Sequence, residues 1–295
     1  MYIGLLKSIC AYVNIDIIIG GVLMSNNQDP IIVTVNQEKG GVGKSFIAFN
    51  FSNYLAVEHN KKVLVIDTDF QCNISEIFSV YDQENTFANI LTGKGDVKVH
   101  SVRPNIDLIG GNKNLDPIQE SIATERDKEM KLYMWLADNF DTLNLVQYDF
   151  IIIDTHNDFS TATKNAVAVS DMLIAPITPS TLSSDASIKW NLKDFKQGAI
   201  DYRTRESLIK ADLKLVANLI RPTKNGKEFE EYVDENPEYI AKFKLYDDYD
   251  KTVQERMSLS EKYQGTRNKQ ILKFKQPFDE NMEAIYQAAL NSVES

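Results

Sequence analysis

Residues 36–45, NQEKGGVGKS, constrain the fold of this chain more than any other stretch. They join IIVTV (31–35), a β-branched run bounded by Pro30, to KSFIAFNFSNYLAVEH (44–59), where apolar residues recur at helical spacing. A glycine loop that leaves a strand and opens a helix has the context a phosphate-binding loop requires. Gly40, Gly41 and Gly43 let the backbone turn tightly around Val42 and aim N–H groups at phosphate oxygens. The helix N-terminus adds partial positive charge. Lys44 is expected to grip the β- and γ-phosphates of a nucleotide, and Ser45 to ligate Mg²⁺. A string of the form K-G-G-x-G-K-[ST] arises by chance on the order of once in 10⁷ positions. An incidental lysine in a glycine turn is therefore set aside.

Four more runs carry strand character: KVLVID (62–67), YDFIIID (148–154), DMLIAPIT (171–178) and LKLVANLI (213–220). Apolar strands separated by helical stretches predict an α/β fold, a mostly parallel central sheet flanked by helices on both faces. In such sheets the site lies at the carboxyl ends of the strands, where the glycine loop and the terminal aspartates fall. The two cysteines, Cys10 and Cys72, form no C-x-x-C, which argues against a disulfide framework or structural zinc and fits a reducing cytoplasm. A net charge of −10 means that any contact with nucleic acid must come from a local basic patch. The first 23 residues are apolar but broken by Lys7, Asn14 and Asp16, too interrupted for a membrane span and without signal-peptide features. Residues 1–24 read as a loosely docked or disordered extension, or as sequence upstream of a native start at Met24, since Gly20-Gly21 can be encoded by a purine run like a ribosome-binding site. Residues 25–295 read as one domain.

The loop has a further peculiarity. Glu38 stands where the usual phosphate loop has glycine, and a second lysine, Lys39, precedes the glycines. This is the deviant Walker A form, and the chain resembles the ParA/MinD family of P-loop ATPases, including the ParA/Soj-type partition ATPases of plasmids and chromosomes. The resemblance implies that Lys39 reaches across an ATP-dependent homodimer to phosphates held by the partner subunit, and places Lys39, Lys44 and Asp69 in the catalytic set. VLVIDTDFQCN (63–73) is similar to a family segment in which Asp69 orients or activates the attacking water and Asp67 lies near the magnesium shell. YDFIIIDT carries the Walker B aspartate, Asp154, which holds Mg²⁺ through water. NAVAVSDMLIAPITPSTLSSDA (165–186) is a third match, and Asn218 maps to a residue that commonly recognises adenine. A strand-end asparagine making a turn is the competing reading of Asn218. Two departures stand out. His156 and Asn157 occupy positions where the family usually has prolines, and Phe46 replaces a hydroxyl residue that contacts the α-phosphate, at a cost of roughly 0.5–1.5 kcal/mol of binding. The lone loop histidine is expected to be solvated or capping.

Family members differ in output. Membrane recruitment of the MinD kind needs a basic amphipathic C-terminal helix, but QPFDENMEAIYQAALNSVES has no lysine or arginine. Iron–sulfur carriage needs bridging cysteines, and Cys72 has no second cysteine at useful spacing. Residues 226–250 hold nine acidic and three basic side chains, whereas 251–275 hold seven basic and two acidic. Lys224, Arg256, Lys262, Arg267 and Lys269 are the candidates for nonspecific DNA binding, against the competing reading of a solvated basic surface. The stretch before the first strand is too short for a helix-turn-helix domain. By resemblance, the chain is expected to be a cytoplasmic, nucleoid-associated ATPase with ATP and Mg²⁺ as cofactors, whose slow hydrolysis is stimulated by a ParB-like centromere-binding protein. The alternatives are a regulatory nucleotide-binding dimer with little turnover and a membrane-recruited positioning ATPase.

Overall fold

The computed structural model describes residues 29–182 and 184–294. The N-terminal extension and the alternative start at Met24 lie outside the described residues. In chain order the elements are β1 (Ile31–Val35), α1 (Lys44–Glu58), β2 (Val63–Thr68), α2 (Asn73–Ile77), α3 (Phe87–Thr92), β3 (Val99–Arg103), β4 (Ile106–Ile109), α4 (Leu115–Ser121), α5 (Lys131–Asp138), β5 (Phe150–Thr155), α6 (Thr161–Val169), β6 (Met172–Ile177), α7 (Ser184–Gly198), β7 (Asp212–Ile220), α8 (Lys224–Glu235), β8 (Tyr239–Lys244), α9 (Asp247–Glu255), α10 (Leu259–Lys262) and α11 (Lys269–Glu294).

The strands form one eight-stranded sheet in the order β3-β4-β2-β5-β1-β6-β7-β8. Every pairing is parallel except β3 with β4, so the expected mostly parallel sheet is observed. The five strands expected from apolar runs are all present and form the centre of the sheet. Both faces of these strands are buried, which is why they read as unbroken apolar runs rather than alternating ones. Val33, Val35, Val63, Val65 and Ile152 point to one face, against α1, α10 and α11. Leu64, Ile66, Ile151 and Ile153 point to the other, against α3, α5 and α6. Farther along that second face, α7 and α8 cover β6 and β7.

The C-terminal helix is part of the core. Phe278, Met282, Ile285 and Ala289 of α11 are fully buried. The Phe278 ring lies 5.8 Å from that of Phe243 on the edge strand β8. Asn281 accepts a hydrogen bond from the Lys242 backbone N–H at 2.7 Å, satisfying one exposed donor of that edge. The apolar face of α11 is thus consumed by packing, and among the described residues no helix is long and apolar enough to cross a membrane. Truncating Phe278 to alanine should cost about 3–5 kcal/mol of unfolding free energy. Denaturant melts of the variant and the parent check this, and a change below about 1 kcal/mol would mean that α11 docks by other contacts.

Candidate functional site

Strand β1 lies between β5 and β6, so the loop that leaves its carboxyl end opens at the centre of the sheet. Gly43 immediately precedes α1 with φ 91°, and Gly41 has φ 72°. A Cβ at Gly43 would also meet the Asn218 amide nitrogen at 2.3 Å, so both backbone conformation and space demand glycine there. The first turn of α1 contains no acidic residue, leaving its N–H groups and dipole uncompensated. The loop borders a cavity of about 590 Å³, also lined by Lys44, Ser45, Asp69, Asn157 and Asn218. That volume suits a nucleotide-sized ligand.

The electrostatics of the cavity wall are unfinished within the chain. Lys44 is 7% exposed, and among the described residues its ammonium has one hydrogen bond, to Asn157 Oδ1 at 3.2 Å. Burial pushes its pKa down, while Asp154, Asp69 and Asp158 pull it back up. Asp154 is fully buried, and neither carboxylate oxygen has a hydrogen-bond partner among the described residues. Burial raises its pKa well above the usual range, and Asp67, its neighbour across the β2–β5 ladder, raises it further. Ser45 and Lys44 favour its ionised form without supplying a hydrogen bond of ordinary geometry. A buried carboxylate with two unused oxygens, beside a hydroxyl and a glycine loop, suits a hydrated divalent cation accompanying a polyphosphate.

Asp67 is placed differently. Its Oδ1 accepts from the Asp69 N–H at 3.0 Å, and its Oδ2 from the Ser75 N–H at 3.1 Å and the Ser75 hydroxyl at 2.5 Å. Its carboxylate pins α2 beneath the site, and burial pushes its pKa up to about 7. Asp69 lines the cavity: its Oδ1 accepts from the Gln71 N–H at 2.8 Å and lies 2.8 Å from His156 Nδ1, and its Oδ2 carries no hydrogen bond among the described residues. The expectation of a solvated or capping His156 is corrected here. Its side chain is 16% exposed and its ring leans on Phe70 with centroids 4.2 Å apart. The cause is register: Asp67 pairs with Asp154 and Thr68 with Thr155, so the next residues, Asp69 and His156, leave adjacent strands side by side.

A family model described as an AAA domain matches residues 30–197. The chain belongs to this family. The kinship with ParA-type ATPases expected from the glycine loop also holds. The chromosome-partitioning ATPase Soj of Treponema pallidum is 34% identical over 149 residues, 50% of this chain and 56% of that protein. A plasmid partition protein from Borrelia burgdorferi has a TM-score of 0.64 at 23% identity, over 78% of this chain and 95% of its own. An ATP complex of a Cyanothece McdA variant has a TM-score of 0.71 at 16% identity, over 88% and 97%. At these identities the solved structures show a shared fold. The chain spans about half the length of the curated relatives it matches, from 46% to 61%.

The AAA domain match ends within α7, and the remaining expected residues distribute unevenly around it. Lys39 and Gly40 are exposed, and Lys39 neither lines the cavity nor makes an ion pair or hydrogen bond among the described residues. Glu38 anchors the front of the loop to α7, accepting from Ser187 Oγ at 3.0 Å and from the Asn191 amide. Phe46 is partly buried edge-on against Phe243. Asn218 is buried, and its amide donates to the Val42 carbonyl at 2.8 Å, so it braces the glycine loop directly. Leu219, at φ 54°, kinks the strand end that presents it.

Of the DNA candidates, Arg267, two residues before α11, and Lys269, its first residue, are exposed with no partner among the described residues. Lys262 pairs with Glu255 at 2.6 Å, and Lys224, 91% exposed, lies 3.7 Å from Glu228. Arg256 donates to Ser79 Oγ at 2.9 Å, stacks over Tyr81 and lines the cavity beside the glycine loop. The contacts of Asn157, His156 and Arg256 with the site had no local sequence signal, because each depends on which strands are neighbours.

Proposed function

We propose that the chain is a ParA-type partition ATPase that hydrolyses ATP to ADP and phosphate. The observation that carries this reading is the pair of buried groups of opposite charge type, Lys44 and Asp154, under-satisfied among the described residues and placed beside a glycine loop that opens a helix. Lys44 and the loop would donate to the phosphate oxygens of ATP, and Ser45 and Asp154 are suited to hold a magnesium ion, which would supply charge neutralisation at the phosphates. The carboxylate of Asp67 is already engaged by Ser75 and Asp69, so its contribution is to shape the loop. Asp69, with Oδ2 open to the cavity, orients the attacking water.

ATP closes a homodimer in which Lys39 contacts the partner's phosphates. The dimer binds DNA nonspecifically through the basic region that includes Arg267 and Lys269, and a ParB-like centromere-binding protein stimulates hydrolysis and release. Such a protein works in the cytoplasm, on nucleoid DNA. Steady-state ATPase with and without DNA and the partner tests the reading. Asp69→Ala is expected to lower the stimulated rate by about 10²-fold or more with nucleotide binding retained. A rate indifferent to DNA, partner and Asp69→Ala would instead indicate a regulatory dimer.

A further inference from the structure

We propose that His156 is a positioning residue for Asp69, fixing the carboxylate that orients the attacking water. The inference rests on the hydrolytic reading of the same site. An ionised carboxylate only accepts, so the 2.8 Å contact between His156 Nδ1 and Asp69 Oδ1 is a donation from the imidazole. With the Gln71 N–H on the same oxygen at 2.8 Å, two donors from different segments fix the rotation of the carboxylate. They leave Oδ2 as the oxygen available for water. Both side chains are largely withdrawn from solvent, 16% exposed for His156 and 3% for Asp69, so water competes weakly for the contact.

The histidine is itself held. Its ring leans on Phe70 at 4.2 Å between centroids, and the loop that carries it is pinned on either side. Thr155 Oγ1 donates to the Val35 carbonyl at 2.9 Å, Asn157 Oδ1 accepts from Lys44 at 3.2 Å, and the Asp158 carbonyl accepts from Asn36 at 3.2 Å. A donor mounted on a segment tied to the glycine loop positions a catalytic group far better than a mobile side chain would. Because Nδ1 is engaged with the carboxylate, His156 acts through Asp69.

The test is single-turnover ATP hydrolysis with protein in excess, so that no partner is needed. His156→Leu keeps an apolar side chain against Phe70 but removes the donor. It is expected to slow the hydrolytic step by about 10- to 100-fold, with the affinity for a non-hydrolysable ATP analogue within about twofold of the parent. His156→Asn places an amide donor near the position of Nδ1 and should recover most of the rate. In an Asp69→Ala background, His156→Leu should cause no further loss. Equal rates for His156→Leu and the parent, or the same fold-loss with and without Asp69, would overturn the proposal while leaving hydrolysis by Asp69 standing. A parent protein with no turnover would sink the hydrolytic reading first and this inference with it.

Discussion

Lys44→Ala is expected to lower ATP affinity by about 10²- to 10⁴-fold, from the loss of about two charge-assisted hydrogen bonds at roughly 1.5–3 kcal/mol each. The same change should scarcely move the melting temperature without nucleotide. Lys44 is buried with a single 3.2 Å hydrogen bond among the described residues, and burial lowers its pKa. A lysine whose folded pKa lies below its unfolded value binds its proton less tightly when folded, so carrying that proton at neutral pH opposes folding. Its removal relieves this cost. Against that, Asp154, buried with neither oxygen hydrogen-bonded among the described residues, loses a favourable positive neighbour. The two effects oppose, and a shift of no more than about 4 °C is expected. Isothermal titration with an ATP analogue, alongside thermal melts, separates the two quantities. Parent-like affinity would mean that the loop amides alone hold the phosphates.

This division between binding and stability also explains which parts of the site could be read from the sequence. Lys44, Ser45 and the glycines were legible because the loop is local: one strand end, one helix start and the residues between. The central strands were legible because burial on both faces writes an unbroken apolar run. The hairpin β3–β4 escaped notice because β3 is only half-buried at the sheet edge and β4 has just four residues. β8 escaped because YIAKFK alternates lysines with apolar residues and lies between two acidic helical stretches. The roles of His156, Asn157 and Arg256 were hidden for a different reason. His156 meets Asp69 only because β2 and β5 are neighbours in register, and Asn157 covers the glycine loop only because β5 is also paired with β1. Strand order is a property of the whole chain, and no local pattern of apolar residues encodes it. Likewise, the net basic count in residues 251–275 could not reveal that Lys262 is matched by Glu255, or that Arg256 lines the cavity beside the glycine loop.

Lys39→Ala is expected to leave nucleotide binding by the monomer nearly intact, within about threefold, and to weaken ATP-dependent dimerisation by about 10²- to 10⁴-fold. Within one subunit the first half follows from position: Lys39 is exposed, does not line the cavity and has no partner among the described residues, so its removal takes nothing from the fold or the subunit's own site. The second half follows from symmetry. In a two-fold dimer each substitution acts twice. Losing a charge-assisted contact of roughly 1.5–3 kcal/mol on each side removes about 3–6 kcal/mol from the association. The phosphate charges that those ammonium groups would offset are then left facing each other. Sedimentation or a sizing column with a non-hydrolysable analogue reads the outcome, and normal ATP-dependent dimers from Lys39→Ala would remove the trans role. Glu38 supplies the control. It holds the base of the Lys39 turn through Ser187 and Asn191, so Glu38→Gln, which keeps the shape and weakens the anchor, should loosen the dimer less than Lys39→Ala does. That ordering is expected only if the lysine charge, rather than the shape of the loop, is what the second subunit recognises.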